Sequence, residues 1–325
     1  MRSRKKFSSV ALAVLVTLNS TPANGQDRDP KRTLGGHNFV PIALLGDPFV
    51  GTYVRNSTGG GTAVGLTLAR PNLDGDTVGF AEANIGFIAL ELEYQQNITN
   101  WLVFRIGGSG GARLGTSIEA LLAEGATAVF GYNFGLSAQV VRSDRFALAA
   151  SADIVPNKTY GISPLDFARS VIENGLDSAS ALLKKGNARR LLVGVRPAYA
   201  VTPWLGLQGM FEIGPNRARQ EGDSGRVESE ETRTQTTFGL GASINLEGVS
   251  HTPLGFNAAY QRKNGIIGLD DVSGGADTWN VGIFYTGRRS FIVGLEIESS
   301  RIDQQLTDDK IDLIGGRLTL RYDFR

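Results

Sequence analysis

The stretch Ala128-Val-Phe-Gly-Tyr-Asn-Phe-Gly-Leu-Ser-Ala-Gln-Val140 alternates between two kinds of residue along its whole length. Ala128 and every second residue after it are aromatic or aliphatic, whereas the residues between them are mostly Gly, Ser, Asn and Gln. Successive side chains of a β-strand point to opposite faces, so this pattern predicts a strand between an apolar and a polar environment. The segment is longer than the roughly five or six residues of a typical strand in a soluble protein.

The same alternation recurs in further segments, which are 88–95, 237–246, 254–261, 291–298 and 317–324. A soluble β-sandwich also alternates, but its outward polar face tends to carry Lys and Thr. The polar face here is rich in small residues, which suit the crowded inner side of a closed barrel. About ten residues suffice for a tilted strand to cross a membrane. The pattern therefore favours a transmembrane barrel over a sandwich.

The predicted connections alternate between short and long. The short turns are 97–100, 142–144, 202–203, 248–253 and 287–289, and the long connections are 113–125, 155–190, 215–231, 263–277 and 299–310, with a shorter one at 71–77. Barrels with short periplasmic turns and longer external loops show this regularity. Eleven strands are predicted at 78–96, 101–113, 125–141, 145–155, 189–201, 204–213, 233–247, 253–262, 278–287, 290–298 and 311–325, and a twelfth within 49–70.

We thus predict an all-β fold, a transmembrane antiparallel up-and-down β-barrel of about 12 strands, with 10 or 14 as alternatives. Residues 1–25 carry a cationic start, Arg2 to Lys6, and a short apolar run, Val10 to Leu18, which together predict a signal peptide cleaved before Gln26. Residues 26–48 show no clear alternation and form either a periplasmic lead or a piece inside the lumen. Residues 49–325 form the barrel.

Composition excludes several classes of protein. The 325 residues contain no Cys, so there is no disulfide scaffold, thiolate zinc site or iron–sulfur centre. The 33 Lys and Arg against 32 Asp and Glu argue against a nucleic-acid partner, which would require a basic surplus. The 42 Gly residues have no collagen period.

At this point the chain resembles Gram-negative outer-membrane β-barrel proteins of the porin-like type, over most of 49–325 together with the signal. Members commonly end in a strand whose last residue is Phe, which the barrel-assembly machinery reads. Here Tyr322 and Phe324 keep the alternation, but Arg325 follows Phe324, so the terminal-aromatic rule is missed by one place. The resemblance implies an integral outer-membrane protein whose partners are outer-membrane lipid, the assembly machinery through the C-terminal strand, and small hydrophilic solutes.

The sequence offers no catalytic pair, metal site or cofactor motif. His251 lies in a predicted periplasmic turn, and His37 lies in the 26–48 segment without a recognisable partner. The run Gly107–Gly111 lacks the Lys and Ser or Thr of a phosphate loop and falls in a strand, where it is expected to leave packing space. We predict a protein that is not an enzyme.

Charged residues at alternate positions are predicted to face the lumen. They are Glu91, Glu93, Arg105, Asp153, Arg196, Glu212, Glu296, Glu298, Arg317 and Arg321. Arg105 is expected near Glu91 or Glu93 across one hairpin. These charges either pair into a lattice that closes the bore or set the field for passing solutes.

Aromatic residues at the strand ends are predicted to form an interfacial girdle. They are Tyr94, Trp101, Tyr199, Trp204, Tyr260, Tyr285, Tyr322 and Phe324. Short helices are predicted in the external loops, at 118–124, 163–175 and 177–185, from capping residues and apolar stripes. The long loop either folds over the barrel mouth or packs on neighbouring loops.

Two functions remain open from the sequence. The first is a passive porin-like channel for small hydrophilic solutes. The second is a closed, non-conducting barrel with a structural, adhesive or surface-interaction role.

Overall fold

A computed structural model describes residues 32–71, 77–116, 126–162, 183–221, 227–267, 273–288, 290–303 and 310–324. Twelve of its strands form one closed barrel, in which each strand pairs antiparallel with its neighbours in sequence. The barrel closes where the last strand pairs with the first strand of the wall, Phe324 opposite Thr52. The predicted barrel and its count of twelve strands are confirmed.

The wall is preceded by two short strands, β1 and β2, which pair with each other through the turn Gly35–Gly36. Both glycines have positive φ, 52° and 81°, as a two-residue hairpin turn of this hand requires. The elements are β1 Thr33–Leu34, β2 His37–Asn38, β3 Thr52–Pro71, β4 Thr77–Asn97, β5 Leu102–Gly115, β6 Ala126–Arg142, β7 Phe146–Ile162, β8 Leu183–Thr202, β9 Leu205–Glu221, β10 Val227–Asn245, α1 Glu247–Ser250, β11 Leu254–Ile267, β12 Ser273–Arg288, β13 Phe291–Asp303 and β14 Lys310–Phe324.

The two faces of each strand differ as the alternation predicts. On β10, Phe238 and Leu240 point outward and are 46% and 54% exposed, whereas the neighbouring Thr237 points inward and is 2% exposed. The large apolar side chains that are exposed on the outer surface of the barrel match a lipid-facing band. No helix in the described ranges has the length and hydropathy of a transmembrane span.

Several strands extend further than predicted at the end that carries the long connections. The residues 156–162 and 183–188 were expected in a loop but belong to β7 and β8, and β9 continues to Glu221. In this part of the wall the outward side chains are polar and form ion pairs, such as Arg219 with Glu230 and Arg301 with Asp312. Since both faces are polar there, the alternation that marks a strand in lipid is lost.

The opposite end of the barrel carries the short turns and is called the short-turn end below. The predicted turn at 248–253 overlaps the one-turn helix α1. The residue after this helix, His251, has a left-handed backbone conformation. The predicted loop helices at 118–124 and 163–175 lie outside the described residues. The predicted helix 177–185 is wrong over Leu183–Lys185, which are the first residues of β8; its remainder is not described.

Candidate functional site in the barrel lumen

Residues 32–51, called the N-terminal lead, lie inside the barrel at the short-turn end. Their apolar side chains are buried against inward-facing residues of the wall, in three small clusters. These are Leu34, Phe39 and Phe49 with Ala147, Ala198 and Ala200; Val40 with Phe284 and Ile292; and Ile42 and Leu45 with Met210 and Ala259. The lead thus gives this half of the bore an apolar core of its own.

The wall also binds the backbone of the lead through inward-facing carboxamides. The hydrogen bonds run from Gln95 to the carbonyls of Phe49 and Gly51 (3.0 and 2.8 Å), from Gln208 to Val40 (3.3 Å), from Asn245 to Asn38 (3.2 Å), from Asn257 to Pro41 (2.8 Å) and from Gln261 to Leu44 (2.5 Å). Carbonyl groups that lie outside a sheet need such partners when they are buried. Side-chain amides therefore supply the hydrogen bonds that these carbonyls would receive from a neighbouring strand in a sheet.

Inward glycines leave the space that the lead occupies. A Cβ on Gly255 would lie 2.6 Å from Val40 Cγ2, and one on Gly241 would lie 2.8 Å from Ile42 Cδ1. A Cβ on Gly239 would clash with Leu45 in the same way. Part of the glycine surplus of this chain is therefore explained by close packing against the lead.

Two ion pairs connect the lead to the last strand. Arg321 on β14 donates to Asp47 at 2.5 Å and to Asp323 at 2.9 Å, and its guanidinium lies 3.8 Å from the centre of the Tyr53 ring. Arg32 pairs with Asp323 at 3.2 Å. The lead is thereby attached to β14, the strand that closes the barrel against β3.

His37 lies fully buried in the lead, with its Nε2 2.9 Å from the Ser243 hydroxyl. Its ring packs edge-on against Phe39 at 4.5 Å. Burial lowers the pKa of the His37 imidazole to about 4. The docked lead therefore holds a neutral histidine, for which the sequence offered no recognisable partner.

Above the lead is a cavity of about 260 Å³, called the charged chamber. Ala43 to Gly46 line it on the side of the lead, and strands of the wall surround it. A Cβ on Gly46 would clash with the guanidinium of Arg196, so the top of the lead packs directly under this arginine.

A chain of ion pairs runs along one wall of the chamber. Arg105 on β5 donates to Asp153 on β7 at 2.7 and 2.8 Å, and Arg196 on β8 donates to Asp153 at 3.0 Å and to Glu212 on β9 at 2.6 Å. Between β5 and β7, Gly135 of β6 leaves room for the first pair. These ion pairs follow the wall of the bore, whereas the lead fills the bore.

Arg105 lies near Glu93, as expected, but its ion pair is with Asp153 rather than with Glu91 or Glu93. Glu93 instead accepts a hydrogen bond from Tyr53 (2.5 Å) and pairs with Arg55 at 3.4 Å. Arg55 lies on β3, where polar residues and glycines stand on both faces, so sequence alternation did not identify it. Glu91 lines the chamber and has no ion pair within the described residues.

The other predicted lumenal charges lie nearer the β12–β14 side of the barrel. Glu296 is 2% exposed and accepts hydrogen bonds from Thr319 (2.8 Å) and Asn257 (3.3 Å). Glu298 pairs with Arg317 at 3.0 Å. Whether these charges select solutes stays a prediction. Sequence reasoning missed two further chamber residues, Arg190 and Lys263. Arg190 lies an even number of residues from Arg196 on the same strand, so alternation could have placed it inward. Lys263 was assigned to a loop.

The predicted girdle residues lie on the outer face or at strand ends. Tyr94, Trp101, Tyr199, Trp204, Tyr285 and Tyr322 are exposed, and Tyr260 and Phe324 are half-buried. Tyr260 packs against Trp279 at 4.5 Å, and Trp279 was not in the predicted set. Their contact with a lipid interface stays a prediction. Within the described ranges no group of three His, Asp or Glu residues could hold a metal ion.

Structural comparison identifies similar solved barrels. The translocator domain of autotransporter NalP from Neisseria meningitidis is 12% identical over 87% of this chain and 91% of its own, with a TM-score of 0.53. A Pseudomonas aeruginosa FadL homologue is 11% identical over 91% of this chain and 96% of its own, with a TM-score of 0.48. The NanC porin is 9% identical over 83% of this chain and 100% of its own, with a TM-score of 0.43.

No protein-family profile and no curated protein matches the sequence. At these identities, the structural likeness concerns the fold. Together with the closed twelve-stranded wall and its apolar outer band, it shows that the chain has the fold of outer-membrane β-barrel proteins.

Proposed function

We propose that the protein is a passive outer-membrane channel for small hydrophilic solutes, not an enzyme, and that the N-terminal lead closes its short-turn end. The mature chain would be integral to the membrane after removal of residues 1–25. Barrels of twelve strands can enclose a bore, and their interiors are polar when they conduct.

One observation carries this proposal: the bore is filled by a segment that lies outside the sheet. The wall around the lead presents many glycine, alanine and carboxamide side chains, and its larger residues there, Met210, Phe284 and Ile292, pack against the lead. Displacement of the lead would therefore leave a passage about as wide as an extended polypeptide, continuous with the charged chamber. The ion-pair chain would not block this passage, since it follows the wall.

An introduced disulfide tests the lead as the gate. A Cβ on Gly35 would lie 3.4 Å from the Cβ of Ala200, close to the 3.5–4.5 Å of disulfides, and the chain has no other cysteine. In Gly35→Cys/Ala200→Cys the lead would be held at both ends, at residue 35 by the disulfide and at residue 51 by the chain. We expect oxidation to abolish single-channel conductance in planar bilayers and a reductant to restore it.

The single variant Gly35→Cys is the matched control, because it carries the same backbone strain at a left-handed residue but cannot form the bond. Equal conductance of the oxidised and reduced double variant would contradict gating by the lead.

The same experiment distinguishes the second candidate, a closed barrel with a structural, adhesive or surface-interaction role. The observation that favours it is the extent of lead docking, with buried apolar clusters, carboxamide bonds and the Arg321–Asp47 pair. A refolded protein that shows no conductance as wild type, as reduced double variant or after release of the lead would support this role and contradict the channel.

A further inference from the structure

We propose that the charged chamber binds small carboxylates between Arg190 and Lys263, so that the channel selects organic anions. This inference rests on the proposed channel for its role in transport, but the binding site itself does not depend on it. The charges that line the cavity differ in whether a partner already neutralises them.

Nine ionisable side chains line the chamber, five of them cationic. The cations are Arg55, Arg105, Arg190, Arg196 and Lys263, and the anions are Glu91, Glu93, Asp153 and Glu212. Three of the cations are in ion pairs. Arg55 pairs with Glu93, and Arg105 and Arg196 pair with Asp153 and Glu212. Two cations and Glu91 remain without an ion pair among the described residues.

The two remaining cations lie on the same side of the bore. Arg190 is on β8 and Lys263 is on β11, and between them β9 and β10 present Glu212, already bound to Arg196, and the neutral Gln235 and Thr237. Arg190 acts repulsively on Lys263, whereas Glu298, Glu212 and Glu91 attract Lys263 without forming an ion pair with it among the described residues. Two like charges held beside one cavity are stabilised by an anion between them.

Glu91 lies on β4, about opposite β8–β11 in the ring of twelve strands. It therefore faces the two cations across the cavity rather than neutralising them at contact distance. The chamber has a positive side and a negative side. A ligand with a carboxylate group would place it on the β8–β11 side.

Unpaired hydrogen-bond donors around the chamber point to the same ligand. Arg105 Nε and Arg190 Nε are buried without an acceptor among the described residues; Nε and Nη1 of Arg196 are too, but Gly46 of the lead covers them. Against the two donors that the lead does not cover, the chamber wall holds one buried unpaired acceptor, Asn133 Oδ1. Buried donors without partners are costly, and a carboxylate brings acceptors and no donors.

The volume limits the size of the ligand. At about 260 Å³ the chamber is slightly smaller than the pockets, about 300–1,000 Å³, that hold drug-sized molecules. A carboxylate of a few carbon atoms fits this class, whereas an oligosaccharide or a peptide does not.

Equilibrium dialysis of the full mature protein in detergent with radiolabelled succinate tests the site, with the neutral succinamide as the matched competitor. We expect saturable succinate binding that succinamide does not displace. Arg190→Gln/Lys263→Met should weaken it at least tenfold. Arg189→Gln is the control variant, since Arg189 is the adjacent residue on β8 but faces outward. It should bind succinate as the wild type does.

Two results would overturn the proposal: succinamide competing as well as unlabelled succinate, or the double variant binding succinate with wild-type affinity. Heat-modifiable gel migration shows that each variant is folded, and Arg190→Lys should recover part of the affinity. Reversal potentials in a potassium succinate gradient then address transport separately. Binding without conductance contradicts the channel and leaves the site, whereas conductance that prefers potassium, without succinate binding, contradicts the site and leaves the channel.

Discussion

The two parts of the bore that the structure describes use different chemistry. At the short-turn end the lead is held mainly by apolar contacts and by neutral carboxamides that bind its carbonyls, with two ion pairs to β14. In the charged chamber, the walls carry ion pairs and the cavity remains open. The contacts that hold the lead and the charges that line the chamber are therefore made largely by different residues.

Arg196 is the main point of contact between the two regions, since it belongs to the ion-pair chain and also packs over Gly46 of the lead. The lead also lines one side of the chamber, so variants that release it open the chamber on that side but leave the charged side chains of its wall in place. Each of the following predictions is measured by thermolysin cleavage between residues 39 and 49, which requires a released lead, and by conductance. Reversal potentials report whether the chamber is still intact.

The largest effect is expected from filling the space of the lead. In Gly239→Leu/Gly241→Leu, the new side chains occupy the positions of Leu45 and Ile42. Overpacking costs about 1–3 kcal/mol at each site, so the released fraction should rise about 100-fold or more. Cleavage and conductance should increase together, while ion selectivity stays that of the wild type. Gly108→Leu is the control for an added leucine in the wall that cannot reach the lead, because Gly108 has outward parity beside the exposed Tyr132 and a Cβ there has nothing within 4 Å. A lead that stays protected in the double glycine variant would show that it is not packed as described.

A smaller effect is expected from pH. The docked His37 has a pKa of about 4, whereas a released lead returns it to about 6.5. Between these values the released state binds a proton that the docked state does not, so docking weakens as pH falls from 6.5 to 4 and does not change above this window. At pH 5 the released fraction should be about 30-fold higher than at pH 7.5.

The variant His37→Gln should remove this dependence, whereas His251→Gln should keep it, because His251 lies in the exposed turn after α1. An unchanged pH response in His37→Gln would assign the effect to other groups, such as the Asp47–Arg321 pair.

The smallest effect is expected from a single carboxamide. Asn257→Ala removes the donor to the Pro41 carbonyl and leaves that carbonyl unpaired. Such a loss costs about 1 kcal/mol, so release should rise about fivefold. Asn216→Ala is the control: Asn216 is also inward and buried, but it donates to Gly265 rather than to the lead. Equal effects of the two variants would indicate a general loss of barrel stability instead of a specific contact with the lead.

The difference between the two regions also explains what the sequence could predict. The chamber charges Arg105, Asp153 and Arg196 sit at alternate positions of lipid-crossing strands, so period-two alternation was sufficient to place them inward. Their pairing depends on which side chains meet inside the barrel. Arg105 and Asp153 meet across β6 because Gly135 leaves room between them, and the sequence alone did not predict this contact.

The lead has no such period. Its partners, from Gln95 to Gln261, are spread over the chain, and each bond joins residues far apart in sequence. The ends of β7 to β10 that carry the long connections were not predicted, for another reason. Outside the lipid band their outward residues are polar, as the pair Arg219–Glu230 shows. Alternation reports a contrast between two environments, and it vanishes where both are aqueous.

The position of the lead immediately before β3 has a consequence for how the chain folds. The edge formed by β3 and β14 joins the strands of the wall that are farthest apart in sequence, since 262 residues separate its partners Ser57 and Thr319. A lead docked on β9–β11 would carry the start of β3 into the nascent bore, and Asp47 would meet Arg321 of β14 there. Docking then shortens the conformational search that closes the ring, because it replaces one long chain closure with a short one. We expect the segment that fills the bore at the short-turn end to assist closing of the barrel as well.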